Sequence, residues 1–381
     1  MFKNNRLVIS SVCSLAFVLF SFFYLYLMQG ESLRLMHRTL SEGGIPYSPF
    51  WGALILTVVL WLARWGLNLL TRFRDKWLAV SYFPAYLSVA LISSLHPAVT
   101  NGADFHLALS DNWWLALVLF VAYVALAVVY QKQGLTVVKE PIPRTLIPNL
   151  LVLLVFTYVT GAVGNSDELL HRELVVAQRI SEGDFEEALQ EGKKSLHNSR
   201  TLMTLRSLAL SHVDSLGQAL FSYPRTEASE GLFFDESRGE VSSLTNQDIY
   251  NHLGGESRLY NETPVHYLRR LCEKDSCNQK AQDYYLCALL LERQLESFVK
   301  ALERHYKGVA DLPRHYQEAL LLYEEKEGTP ISFIGGYAPS LVKNYQAFKE
   351  LEREHAQEIH RRNYTRRKFG DTYWWYYWYG E

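Results

Sequence analysis

Four residues in one short polar stretch have side chains that can do chemistry: His96, Asp104, His106 and Asp111. Two imidazoles and two carboxylates can hold a divalent ion or move protons. Their intervals match no metal-ligand spacing, however, and polar connections collect such residues by default, so they stand only as a polar cluster. Arg64 is the one formal charge inside an apolar run, a placement costly enough to suggest function. It sits about two turns from the end of its run beside Trp61 and Trp65, so it reads as snorkelling toward the interface. No Asp or Glu lies within any run to pair with it. Cys272 and Cys277, separated by Glu273-Lys274-Asp275-Ser276, can close a small disulfide loop if the compartment is oxidising. Cys287 is then left over, so three reduced buried thiols is the competing reading, and a zinc site using His266 lacks a tetrahedral ligand set. No nucleophile, phosphate-loop or metal signature is present. No catalytic residue, metal or cofactor is therefore assigned, and the reading leans away from an enzyme.

The elements that must position these residues fall into two halves. The mean hydropathy of −0.07 averages unlike parts of the 381-residue chain. Residues 1–164 carry 11 Lys and Arg against 6 Asp and Glu, whereas 165–381 carry 27 against 34. A mildly acidic second half argues against nucleic acid as its partner. A bilayer core of ~30 Å needs about 20 apolar residues in a helix. The runs 7–28, 50–70, 77–95, 113–130 and 146–163 qualify, with Trp51, Trp77, Trp113, Trp114 and Tyr130 near their ends, where amphipathic rings favour headgroups. The first run exceeds a secretory signal core and has no small-x-small cleavage site, so it reads as an uncleaved span. Residues 1–164 are thus expected to be a five-helix transmembrane domain.

Lys and Arg in the loops set the orientation. Lys3 and Arg6, then Arg72, Arg74 and Lys76, then Lys132, Lys139 and Arg144 mark one side. The other side holds only Arg34 and Arg38 in the first loop and none in 96–112. The N-terminus is expected in the cytoplasm and everything past Gly164 on the opposite face, the periplasm of a bacterium with two membranes. That places the chain in the inner membrane.

From Asn165 the period becomes helical, and an all-α fold class is expected throughout. Residues 165–368 read as an irregular helical-hairpin domain. Gly183-Asp184-Phe185-Glu186-Glu187-Ala188-Leu189 has the turn glycine, aromatic and small residue of a tetratricopeptide repeat. A partial echo, Tyr316, Ala319 and Tyr323, follows a long helix predicted over 281–306. The echo lies 131 residues on, not a whole number of ~34-residue repeats, so no regular array is predicted. A long loop is expected over about 221–264. Within it Leu232, Phe233 and Phe234 form an apolar patch that either docks on the domain's own helices or meets a partner, docking being favoured. A helix over 339–364 precedes the basic Arg361, Arg362, Arg366, Arg367 and Lys368 and then the aromatic tail 369–381. Tyr373, Trp374, Trp375 and Trp378 would pack internally, anchor at membrane lipid, or bind a partner.

The words Leu205-Arg206-Ser207-Leu208-Ala209-Leu210-Ser211 and Glu230-Gly231-Leu232-Phe233, with the ending Phe369-Gly370-Asp371-Thr372-Tyr373-Trp374-Trp375-Tyr376-Tyr377, carry a resemblance. The chain resembles an uncharacterised multi-pass membrane protein family of Bacteroidota, a domain of unknown function. That family has a tetratricopeptide-like region outside the membrane and an aromatic-rich terminus. The likeness is best over the soluble half; members often have more spans. It implies no activity and transfers no catalytic residue. The expected function is a membrane-anchored scaffold or adaptor whose periplasmic domain binds envelope proteins or peptides. The alternative is a membrane enzyme or subunit acting on lipid-linked glycan through the polar cluster. The oligomeric state is left open.

Overall fold

Among the described residues five helical segments are long and apolar enough to cross a membrane: Leu7–Met28, Pro49–Thr71, Asp75–Ser94, Trp114–Lys132 and Ile142–Ala162. The computed structural model describes residues 2–41, 47–94, 96–100, 104–108, 113–132, 141–163, 168–193, 195, 197–235, 244–273, 277–306, 312–328, 331, 336–355 and 357–380. Two compact units emerge, Met1–His171 and Arg172–Glu381. Among the described residues both are helical, except for one two-stranded hairpin in the first unit.

In the first unit α1 (Phe2–Phe23) runs through a π-helical turn, Tyr24–Met28, into α2 (Gly30–Leu40). The sequence reading had left 30–40 as connection. α3 (Pro49–Thr71) starts at a helix-compatible proline and stops where Arg72 turns left-handed, at φ 56°. The third apolar segment begins as a 3₁₀ segment, Asp75–Tyr82, and continues as α4 (Phe83–Ser94). The ~2.0 Å rise of 3₁₀ geometry, against ~1.5 Å for α, lets this short segment reach further. Asn149 stabilises that open geometry, accepting from Ala79 N at 2.6 Å and donating to Asp75 O at 2.8 Å. The strands β1 (His96–Thr100) and β2 (Asp104–Ala108) pair antiparallel where the sequence suggested an irregular loop. α5 (Trp113–Lys132) and α6 (Ile142–Val163) complete the unit. Its core is aromatic: Phe17 meets Tyr82 at 5.5 Å and Tyr86 at 5.2 Å, among buried Cys13, Leu60, Val89 and Leu153. Leu15, Ile55, Leu117, Val121 and Leu151 stay exposed on the same helices, the pattern of surfaces meant for lipid.

The second unit takes α7 (Glu168–Glu182), α8 (Phe185–Gln190), α9 (Arg200–His212) and α10 (Leu216–Ala219) in turn. After a stretch of 3₁₀ turns come α11 (Asn246–Leu253), α12 (Pro264–Cys272), α13 (Gln279–Leu291) and α14 (Leu295–His305). α15 (Arg314–Glu327), α16 (Pro339–Glu354), α17 (Glu358–Phe369) and α18 (Tyr373–Tyr379) close it. α9 and α13 are its central rods, buried nearly all round, and α9 carries Thr204, Arg206 and Ser207 inside with it. Side-chain caps fix their starts: Ser199 accepts from Leu202 N, and Asn278 from Ala281 N at 2.7 Å.

One turn recurs. α7 passes to α8, α9 to α10 and α13 to α14 through a left-handed residue: Gly183 at φ 87°, Asp214 at 51° and Arg293 at 57°. Each time the next amide bonds five residues back, Asp184 N to Arg179 O, Ser215 N to Leu210 O and Gln294 N to Leu289 O, at 2.8–2.9 Å. That is a Schellman ending, which satisfies helix-end carbonyls. Two sequence expectations are corrected. The helix predicted over 281–306 is two helices broken at Arg293, and the one over 339–364 breaks into α16 and α17. The echo at Tyr316 lies in the first turn of α15, after Pro313. In packing terms Tyr316 matters differently: a Cβ on Gly217 of α10 would stand 2.5 Å from the Tyr316 ring, so only glycine admits this contact.

Candidate functional site

The C-terminal aromatic run packs into the core of its own unit. Thr372 caps α18, accepting from Trp375 N at 3.2 Å. A helix then carries Tyr373, Trp374, Trp375 and Tyr376 inward, all at most 6% exposed. The receiving group is Glu318 of α15, itself 1% exposed. One carboxylate oxygen accepts from Tyr373 N at 2.7 Å and faces His315 Nδ1 at 2.9 Å. The other accepts from Arg314 Nε at 2.8 Å, and the Glu318 carbonyl accepts from Trp374 Nε1 at 2.8 Å. Tyr376 donates to Leu291 O at 2.7 Å, tying α18 to the end of α13. Arg225 lies 5.0 Å from the Tyr376 ring and 5.3 Å from Phe221, and burial pushes its guanidinium down to about 10.

Of the three possibilities for the tail, internal packing is the one that Tyr373, Trp374 and Trp375 take. Tyr373, Trp374 and Trp375 have almost no area to offer lipid or a partner, because burying such rings is worth more than exposing them. Trp378 differs, at 46% exposed. The Arg314-His315-Glu318 set was missed in the sequence, where the only signal was a charged triplet at i, i+1 and i+4.

Leu232 and Phe233 are likewise fully buried and Phe234 half-buried. Phe233 packs against Tyr267 at 5.8 Å and Tyr250 at 6.1 Å. Asn246 clamps the Phe234 peptide, accepting from its N–H at 2.8 Å and donating to its carbonyl at 3.0 Å. The approach is so close that a Cβ on Gly231 would stand 2.4 Å from Thr226 O. The apolar patch is therefore a core plug, and the expected long loop holds two 3₁₀ turns, Leu220–Ser222 and Ala228–Leu232, and α11.

Of the polar cluster, the backbones of His96, Asp104 and His106 lie in the hairpin, with His96 opposite Ala108, Ala98 opposite His106 and Thr100 opposite Asp104. Asp111 lies outside the described residues. Among the described residues no three His, Cys, Asp or Glu converge as metal ligands. Cys272 and Cys277 are free thiols with sulfurs 3.1 Å apart, and burial pushes the Cys272 thiol up. Cys287 is buried apart from them, against the Tyr316 hydroxyl at 3.6 Å.

Arg64 does not snorkel. It is 3% exposed, donates from Nε to Ser81 Oγ at 3.1 Å and lies 3.9 Å over the Tyr82 ring. The 3₁₀ entry to the third apolar segment puts Ser81 and Tyr82 over it, which substitutes for water.

A second polar contact set joins α8, α9 and α11. Phe185 stacks on His212 at 4.2 Å, His212 on His252 at 4.0 Å, and Ser211 Oγ meets His252 Nε2 at 2.9 Å. Burial lowers both imidazoles, His252 to about 4, with Lys280 adding to the effect and Asp214 opposing it at His212. Ser211 next to a histidine resembles a nucleophile–base pair, but no carboxylate orients His252 among its interactions.

No curated protein and no solved structure matches the chain. A family match covers residues 103–257 and 255–380, well over half of the length, and the chain accordingly belongs to the Family of unknown function (DUF6057).

Proposed function

We propose that the chain is a membrane-anchored adaptor: its five apolar helices hold a tetratricopeptide-like unit in the periplasm of a bacterial inner membrane, where that unit binds envelope proteins or peptides. The observation carrying this reading is the recurring helix–turn–helix. Gly183 and Asp214 are 31 residues apart, near the ~34-residue repeat of tetratricopeptide units. Gly217 against Tyr316 supplies the small-against-aromatic contact by which paired helices approach. With Tyr373, Trp374, Trp375, Tyr376, Leu232 and Phe233 buried, partner contact falls to exposed helix faces, such as those carrying Glu186, His266 and Lys300.

Photo-crosslinkers placed singly at Glu186, His266 and Lys300 in native membranes test this. The expected result is one protein captured at a contiguous subset of positions, and absence of any crosslink at all of them defeats the adaptor reading. Alanine at His96, Asp104, His106 and Asp111 should leave the deletion phenotype complemented. Loss of complementation from those four alone would favour the lipid-linked glycan enzyme instead.

A further inference from the structure

α18 turns four rings inward but leaves Trp378 at the surface, and the space beside it is shaped. Trp378 and Tyr379 form one wall of an open cleft of about 560 Å³, whose other walls are α16 and α17. That size lies in the ~300–1,000 Å³ range of small-molecule sites. The indole is held from two sides, by Lys349 Nζ 5.9 Å from its centre and by the Tyr377 ring edge-on at 5.3 Å. Tyr379 is fixed by donating to Glu352 Oε1 at 2.8 Å. His355 sits at the rim with its ring stacked on Tyr364 at 4.3 Å.

The polar lining is mixed in sign. Lys349, Arg353 and Arg361 bring donors, while Glu352 and Glu358 bring acceptors. Arg361 Nε is buried without a hydrogen-bond partner. A small anion entering the cleft would meet two carboxylates, and a cation would meet three bases. An apolar molecule would strip water from all five without replacing its hydrogen bonds. The group of molecules that matches is neutral, with an apolar face for the indole and edges that donate and accept together. Hydroxyls do both, and a pyranose ring presents a C–H face with hydroxyls around it.

We propose that the cleft between α16, α17 and α18 binds a neutral saccharide, with Trp378 as the stacking platform and Arg353, Arg361, Glu352 and Glu358 as hydroxyl partners. This site is independent of the adaptor reading and can stand if that reading falls.

The test uses the full chain in lipid nanodiscs, because sugar-headed detergents would compete. Maltotriose, cellotriose and chitotriose are titrated by calorimetry, with inorganic phosphate as a separate arm. Binding of at least one trisaccharide is expected, weakened at least tenfold by Trp378→Ala. Trp378 is substantially exposed, so the variant should keep its circular dichroism and melting temperature. If it does not, the Arg353→Ala/Glu358→Ala double variant, at two exposed positions, must show the same weakening. Three silent trisaccharides, binding indifferent to these variants, or binding of phosphate in place of sugar would each overturn the proposal.

Discussion

Glu318 is a buried carboxylate bonded on both of its oxygens, and its energetics follow from those partners. Alanine at this position would leave the Tyr373 amide and His315 without their acceptor in a site closed to water, while the partly exposed Arg314 keeps Asp371 at 3.0 Å. Breaking a buried charged network by removing one partner costs about 3–5 kcal/mol. Glu318→Ala should therefore lower the melting temperature of the chain markedly and expose α18 to proteolysis, whereas Glu318→Gln, which keeps an acceptor, should cost less. Unchanged melting in Glu318→Ala would show that α18 docks by apolar burial alone. Histidine chemistry sets a second expectation. His212, His252 and His315 all have proton affinities lowered by burial, His252 to about 4. Unfolded histidines titrate near ~6.5, so between there and about 4 the unfolded chain takes up protons that the fold refuses. Stability is thus full above the unfolded value and falls as pH drops through this window. Melting curves at neutral and mildly acidic pH should show the loss, and His252→Gln should reduce it; equal melting temperatures would contradict the burial seen here.

The unit of construction at the next scale is the helix pair closed by a left-handed residue. Gly183 adopts its φ without strain, but Asp214 and Arg293 do so against the steric preference of a side chain. Asp214 is exposed, so Asp214→Gly should raise stability by about 0.5–1 kcal/mol. Chemical denaturation reads this directly, and a destabilised variant would mean that Asp214 acts mainly through His212, whose charge it favours. Arg293 is less informative, because its guanidinium also contacts the Tyr376 carbonyl at 3.4 Å and the Tyr376 ring at 5.3 Å. α18 belongs to this scale too. Aromatic side chains bury ~150–250 Å² each, and at ~25 cal/mol per Å² four of them contribute on the order of 15 kcal/mol before entropy is subtracted. A helix of that weight is a structural member of its unit rather than an appended anchor.

For the whole molecule, loop charges predict the orientation of the five apolar helices. A periplasm-active reporter fused after Asn165 should be active, and one fused after Lys132 inactive; the reverse pair would invert the topology. Much of this architecture is legible in residues 7–28, 50–70, 113–130 and 146–163, where apolar length alone identifies the helix. The third run was legible as a crossing but not as a 3₁₀ entry, since that geometry depends on Asn149, about seventy residues away in the chain. The repeated turn was legible only at Gly183. Asp214 and Arg293 adopt the same conformation with no glycine to announce it, each closed by a bond from the next amide to a carbonyl five residues back.

Local chemistry by itself determined where the chain is apolar enough for a membrane, where helical periodicity resumes, and which rings and charges exist. These are properties of short windows, readable from side-chain transfer energies and the 3.6-residue period. Tertiary structure alone decided which of them are spent inside. Tyr373, Trp374 and Trp375 look like an anchor in one dimension and become core because Glu318 accepts from the Tyr373 amide and, through its carbonyl, from the Trp374 indole, while the Arg362 carbonyl accepts from Trp375. Arg64, read as reaching for the interface, faces Ser81 and Tyr82 instead. Trp378, one of nine tryptophans in the sequence, is set apart only by what its helix leaves uncovered. Burial is a sum over non-local neighbours, and no window of sequence contains them.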